Sequence, residues 1–278
     1  MSATQAMPAA AAPKRLRFTG GVTQLNVLRS EWTKLWSLRS TRWSLLFAFV
    51  TMAGLGPLIA TVTMSRWGRL SLHERITFDP INTALGGYHL AQLAIGVLGV
   101  LVISGEYSTG QIRSTLMAVP RRLPVLWAKA ATFAGVAFTL TLIASLIAFF
   151  VSQAVLTRHH VNVSIGHAPA LRAVIGTGLY MVVLGVFALS LGALVRNTAG
   201  GIAIFAGVLF VLPGLAHVLP TSTFNAINPY LPSNAGSDVL SNTTDAGMLA
   251  PWTGFALFCA YSVVTFLAAA VLLVRRDA

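Results

Sequence analysis

The sequence predicts an all-α membrane protein with six transmembrane helices. Hydrophobic residues make up 55% of the 278 residues and charged residues only 9%, whereas a soluble domain has about 25% charged residues. The mean hydropathy is +0.75. A chain with so few polar side chains cannot cover a water-facing surface. Most of its surface must therefore face lipid. This composition excludes a soluble enzyme, a secreted disulfide scaffold and a disordered protein.

Six apolar stretches are long enough to cross the hydrocarbon core, which requires about 20 residues of helix. They are residues 43–64, 82–104, 127–156, 173–195, 199–219 and 252–274. Their apolar residues are continuous rather than alternating, which favours helices over barrel strands. Residues 23–278 are therefore expected to form a single transmembrane domain. It is preceded by a tail, residues 1–22, which is rich in Ala and Pro over residues 1–13 and which we expect to be disordered.

The positions of the basic residues predict the orientation of the spans. The formal net charge is +12, which in a soluble protein would suggest nucleic-acid binding. Here, 14 of the 19 Lys and Arg residues fall on the side of the N-terminus once the spans are placed. The positive-inside rule then places both termini in the cytoplasm, and we expect no nucleic-acid partner.

The segment before the first span, residues 23–42, has the pattern of an amphipathic helix. It reads TQLNVLRSEWTKLWSLRSTR, with Trp32 and Trp36 among apolar residues at helical spacing, and Glu31 and Lys34 among the charged ones. Such a helix lies in the membrane interface, with Trp at headgroup depth and cations near anionic lipid. The alternative is a basic flank that only fixes the topology, and the two interpretations are compatible.

The segment after the second span, residues 104–130, carries an acidic residue at the membrane boundary. It reads SGEYSTGQIRSTLMAVPRRLPVLWAKA. An ionised Glu106 is costly there unless it is paired or hydrated. Gly110 permits a turn, and residues 108–119 could form a short helix that Pro120 ends. The alternative is a solvated connector in which Glu106 pairs with Arg113, and the residues alone leave both interpretations open.

These two segments, together with the six-span layout, resemble the ABC-2 type permeases of bacterial ABC exporters. The family pattern after span two is Glu, an aromatic residue, two further residues and then Gly–Thr. Glu106, Tyr107 and Gly110 match it, while Gln111 stands where Thr is usual. The resemblance implies that residues 106–119, with Arg113, form a cytoplasmic coupling helix that docks into an ATP-binding subunit. It also implies that residues 23–42 are the family's interface helix.

The sequence lacks the motifs with which it could hydrolyse ATP or bind a metal. None of its three lysines follows a Gly, so no P-loop can form. There is no H-E-x-x-H or C-x-x-C motif, and His159, His160 and His167 fit a hydrated outer loop better than a metal site. We therefore expect no catalytic, cofactor or metal residues, no enzymatic activity, and ATP bound only by a partner subunit.

The sequence thus predicts the permease subunit of an ABC exporter, in a bacterial plasma membrane. By the resemblance, two copies or two homologous chains would form the substrate path as a homodimer or heterodimer. The alternative is a non-ABC membrane protein, such as a membrane-embedded enzyme or a channel or structural subunit. The outer His residues with Glu74 and Asp79 are the only group that could serve an enzyme.

The outer segment 213–250 is expected to be kinked and non-spanning. It contains several Pro residues and clusters of Asn, Ser and Thr that mark turns. A plain external loop and a set of short re-entrant helices are both compatible with this composition.

Overall fold

The computed structural model describes residues 23–118, 122–242 and 247–275, and within these ranges its regular elements are helices. The tail of residues 1–22, predicted to be disordered, lies outside the described residues. The α-helices are, in chain order, α1 (Gln24–Ser37), α2 (Arg39–Ser65), α3 (Leu72–Ile76), α4 (Pro80–Leu85), α5 (Tyr88–Ser108), α6 (Gln111–Ala118), α7 (Arg122–Leu156), α8 (Ala168–Val195), α9 (Thr198–Ala206), α10 (Leu212–Ala216), α11 (Thr221–Ile227), α12 (Pro232–Ser237) and α13 (Pro251–Arg275).

Six helices of the described chain are long and apolar enough to cross a membrane, which confirms the predicted set of spans. They are α2, α5, α7, α8, the stretch Thr198–Ala216 and α13. The second span begins at Tyr88 rather than at the predicted residue 82. Residues 80–85 instead form the separate helix α4, which ends before Gly86 and Gly87. The chain is therefore a multi-pass membrane protein by length and composition.

The fifth span is interrupted near its C-terminal end. Helix α9 passes into a π-helical turn, Gly207–Val211, before α10 begins. Pro213 has no backbone N–H to donate to the carbonyl four residues earlier, and a π turn is one way in which a helix accommodates such a gap. This span is also the least buried, with 22% of its most apolar window inside the protein, compared with 67% for α8.

Helices α5 and α8 form the centre of the bundle because glycines allow their backbones to approach closely. A Cβ on Gly99 of α5 would lie 2.5 Å from the carbonyl oxygen of Gly185 on α8. A Cβ on Gly192 would lie 2.8 Å from the carbonyl oxygen of Val100. The hydrophobic effect does not drive association between helices in lipid, so van der Waals packing must do so, and small residues allow the close approach that it requires. The packing fixes the register of these two spans and hence the height at which α5 ends.

Part of the segment between the fifth and sixth spans is packed into the protein, so a plain external loop is wrong for residues 232–240. Ala235 and Val239 are fully buried, and Asp238 is 5% exposed. A Cβ on Gly236 would lie 2.6 Å from the ring of Tyr180 on α8 and 2.7 Å from that of Phe258 on α13. Residues 232–240 therefore fill a gap between α8 and α13.

The predicted helix of residues 23–42 is in fact two helices. Leu38 has an extended backbone, with φ −82° and ψ 123°, between the end of α1 at Ser37 and the start of α2 at Arg39. The expectation that one helix continues to Arg42 is wrong, because this break lets α1 turn its face with Val27, Glu31 and Leu35 into the protein. Arg39 and Arg42 belong to the first span instead.

Gly56 on α2 offers a test of this packing. A Cβ there would lie 1.8 Å from the backbone carbonyl oxygen of Ala84 on α4, which cannot rotate away. We expect Gly56→Ala to destabilise the protein by about 1–3 kcal/mol through overpacking, seen as a lower melting temperature in detergent. Gly54→Ala is the matched control on the same helix, since no atom lies within 4 Å of its Cβ position. Equal melting temperatures for the two variants would contradict the contact between α2 and α4.

Candidate functional site: a buried cluster of four charges

Four charged side chains from three helices meet at the end of the bundle where α1 lies. Glu31 and Lys34 are three residues apart on α1, so they share one face of that helix. Glu106 lies two residues before the end of α5, and Lys129 lies two turns into α7. These four residues are called the charge cluster below.

The ion pairs of the charge cluster form a closed ring in which acids and bases alternate. The Lys34 Nζ lies 2.7 Å from Glu31 Oε1 and 2.9 Å from Glu106 Oε1. The Lys129 Nζ lies 2.9 Å from the same Glu106 oxygen and contacts Glu31 Oε2. Each lysine therefore bridges both carboxylates, and the four formal charges sum to zero.

Three members of the ring are withdrawn from solvent. Glu31 is 2% exposed, Lys129 3% and Glu106 6%. A charge buried without a partner is costly, and removing one partner of a buried pair typically destabilises a protein by about 3–5 kcal/mol. Helix α1 can therefore pack against α5 and α7 only because the charges in the ring neutralise one another.

Lys34 is the solvent-facing member of the cluster, with 29% of its side chain exposed. Burial acts against its charged form, but the hydrogen bonds and charges of Glu31 and Glu106 outweigh this effect and raise the pKa of the Lys34 ammonium above its ordinary value of 10.5. Lys34 is therefore charged throughout the physiological pH range.

Lys34 also connects the cluster to α6. Its Nζ donates a hydrogen bond of 3.3 Å to the hydroxyl of Thr115, while Ile112, three residues earlier on α6, is 4% exposed. These two residues form the inner side of α6. Ser114 and Met117 are exposed on its other side, and Met117 is 78% exposed.

A cavity of about 280 Å³ adjoins the cluster between α1, the start of α2 and the end of α5. Its walls include the hydroxyl-bearing residues Ser37, Ser40, Thr41, Ser108 and Thr109. Within the described residues, Glu106 Oε2 is buried without a hydrogen-bond partner. The cavity is large enough to hold water, for which the hydroxyl groups of its walls are available hydrogen-bond partners.

The structure brings together only part of the residue set that the sequence predicted. Glu31 and Lys34 join Glu106 in the cluster, whereas Trp32 and Trp36 are exposed on the other side of α1, with ring centroids 5.8 Å apart. The solvated alternative for Glu106 is wrong, because its carboxylate is buried and held by two lysines.

The other predicted coupling residues, Tyr107, Gly110 and Arg113, lie in or next to the turn after α5. The guanidinium of Arg196, which follows α8, lies 5.1 Å from the centroid of the Tyr107 ring. Gly110 has a φ of +70°, a left-handed conformation that favours glycine and separates α5 from α6. Arg113 lies on α6, but its side chain lies outside the described residues, so its pairing with Glu106 stays untested.

The sequence did not single out Lys129 as a site residue. It falls within the predicted third span, residues 127–156. A charged lysine inside an apolar run is destabilising unless it is paired. Its position in the predicted span therefore indicates that Lys129 has an acidic partner. The sequence could not indicate that its partners would be Glu31, 98 positions away, and Glu106.

Neither a scan against models of protein families nor a search of the curated proteins finds a match for this chain. Within the described residues, no group of three or more His, Cys, Asp or Glu side chains could hold a metal ion. The class of the protein is therefore inferred from its own residues and their geometry.

A double-mutant cycle tests whether the ring is a coupled unit. Lys129→Met leaves Glu31 with only Lys34, so we expect a loss of about 3–5 kcal/mol in stability. Adding Glu31→Gln should recover part of that loss, because the uncompensated acid is then also removed. The measurement is thermal unfolding of the two single variants and the double variant in one detergent.

Arg29→Met is the control for this cycle. Arg29 is an exposed cation on the same helix as Glu31, so its replacement should change stability by no more than about 0.5 kcal/mol. Strictly additive effects of Lys129→Met and Glu31→Gln would show that the two charges do not interact.

Proposed function

We propose that this chain is the membrane-spanning permease subunit of a bacterial ABC exporter, and that α6 is the helix on which a separate ATP-binding subunit docks. The observation that carries the proposal is the two-sided environment of α6. Its outer side presents Ser114 and Met117, while its inner side contacts the charge cluster through Thr115.

The two sides of α6 suit a helix that transmits a displacement. An exposed side is available to a partner, and on the inner side Thr115 accepts a hydrogen bond from Lys34 of α1. Lys34 is in turn paired with Glu106 of α5, and Glu31 of α1 is paired with Lys129 of α7. A shift of α6 would therefore move the ends of the second and third spans together. Rigid-body movement of packed helices is a common way of converting such a shift into opening.

The source of energy is also consistent with a partner subunit. The sequence has no P-loop lysine, and the charge cluster lies at one end of the bundle rather than along a relay through the spans. In the proposal, ATP binding to two partner subunits draws two docking helices together. Two copies of this chain, or this chain and a homologous one, border the substrate path in the plasma membrane.

The docking surface can be tested on its most exposed apolar residue. Met117→Glu places a charge where the partner would bury a thioether, and disrupting a hot-spot residue of an interface costs about 2 kcal/mol or more. We expect at least a tenfold loss of the ATP-binding subunit that co-purifies from membranes of the native host, and of ATP hydrolysis by the recovered complex.

Leu72→Glu is the matched control for Met117→Glu. Leu72, on α3, is 74% exposed and lies on the opposite side of the membrane in the proposed topology. It should leave both readouts within about twofold of the wild type. Failure of the wild-type chain to co-purify with any P-loop protein, or equal losses in both variants, would contradict the proposal. Glu106 is a less suitable position for this test than Met117. Replacing Glu106 removes a partner from the buried Lys129 and would also lower stability.

The proposed topology places α1, α6 and both termini in the cytoplasm. It rests on the distribution of Lys and Arg residues. A reporter fused after Ala278 should therefore give a cytoplasmic signal, and a reporter inserted after His160, between α7 and α8, should give an external one. An external signal from the fusion at Ala278 would contradict this orientation.

A further inference from the structure

The first two turns of α2 present two arginines beside a groove in the surface of the protein. Arg39, Arg42, Trp43 and Leu46 line this groove, which has a volume of about 470 Å³. Residues three and four apart share one side of a helix, so the aliphatic parts of the two arginines and the two apolar side chains line the same space, with the guanidinium groups at its edge. This groove is called the arginine groove below.

The two arginines of the groove are not used for internal pairing. Within the described residues neither takes part in an ion pair, and both are exposed. The described acids of the adjoining helices, Glu31 and Glu106, are already held by the lysines of the charge cluster. The arginine groove is therefore an uncompensated positive surface.

The start of α2 adds to the positive potential at the same place. The N-cap residue, Leu38, provides no side-chain hydrogen bond to the first turn of this 27-residue helix. The N–H groups of that turn consequently keep their capacity to donate, and the helix dipole favours an anion there. The N-terminus alone would not define a site, but here it coincides with two guanidinium groups.

An apolar groove continues from the arginine groove. Trp43 lines both, and the second groove, of about 530 Å³, is completed by side chains of α2 and α5 that include Phe47, Leu93 and Val97. Trp43 is 69% exposed and Phe47 53% exposed. Trp is the residue typically found at headgroup depth, so the boundary between the two grooves matches the boundary between headgroups and acyl chains.

We propose that the arginine groove binds an anionic membrane phospholipid, with its phosphate between Arg39 and Arg42 and an acyl chain along Trp43 and Phe47. Guanidinium groups bind phosphate oxygens in bidentate fashion. A zwitterionic lipid fits less well, because its own cation offsets the phosphate charge. This proposal does not depend on the proposed transport function.

A second copy of the chain is a poorer occupant of the arginine groove. Two chains that span the membrane in the same direction would bring the same ends together. The described acids on the helices at this end, Glu31 and Glu106, are buried and paired, so the partner copy would offer no exposed acid from those helices. Free phosphate would leave the apolar groove unused.

Lipid titration of the purified full-length chain tests the proposal. The protein in detergent is titrated with phosphatidylglycerol or with phosphatidylcholine of the same acyl chains, and retained lipid is counted by native mass spectrometry. We expect preferential retention of phosphatidylglycerol by the wild type. Arg39→Gln/Arg42→Gln should bind it about 30-fold more weakly, the factor expected for two basic residues near an anionic surface.

Arg66→Gln/Arg69→Gln is the matched control for this experiment. These two arginines have the same spacing and are also exposed, but they lie at the C-terminal end of α2, where the dipole disfavours an anion. The control pair should bind phosphatidylglycerol within about twofold of the wild type. If the first double variant does not fold, Arg39→Gln and Arg42→Gln alone should each weaken binding by about fivefold.

Several results would overturn the proposal. One is equal retention of phosphatidylglycerol by the wild type and the Arg39→Gln/Arg42→Gln variant, or equal weakening by both double variants. Another is equal retention of the two lipids by the wild type. Competition by millimolar inorganic phosphate would indicate a free-anion site, and a change in oligomeric state without a change in lipid retention would indicate an interface between copies.

Discussion

The packing of α1 depends on the mutual neutralisation of four charges, three of which are buried. The attraction between two buried ions offsets the free energy of their desolvation only when their geometry and hydrogen bonding are good. That attraction grows as the local dielectric constant falls. Glu31, Lys34, Glu106 and Lys129 meet this condition as an alternating ring. Removing any one of the four side chains would leave a charge of the ring without its full set of partners. The ring therefore holds α1, α5 and α7 at one relative position.

The rest of the bundle sets the height and orientation of the helices that supply the ring. Close contacts through Gly99 and Gly192 fix α5 against α8, and so determine where α5 ends and where Glu106 lies. The extended residue Leu38 redirects the chain so that α1 packs beside the spans while α2 enters the membrane. Thr115 then attaches α6 to the same cluster. A docking helix attached in this way is the physical basis of the proposed coupling to ATP hydrolysis.

The sequence was sufficient for features that depend on local composition. The six spans follow from length and apolarity, and the membrane-boundary position of Glu106 indicates that this carboxylate requires either a partner or hydration. The identity of its partners did not follow, because Lys34 and Lys129 reach it only through tertiary packing. The break at Leu38 and the burial of residues 232–240 were missed for the same reason, since neither has a strong local signal such as proline at the break or an apolar run long enough to span.

The central claim is that the charge cluster joins α1 and α6 to the spans as one unit. Hydrogen–deuterium exchange of the wild type and of Lys34→Gln tests it directly, because Lys34 is partly exposed and contacts Glu31, Glu106 and Thr115. We expect faster exchange in peptides from α1 and α6, with α8 as protected as in the wild type. Unchanged exchange in both α1 and α6 would contradict the claim.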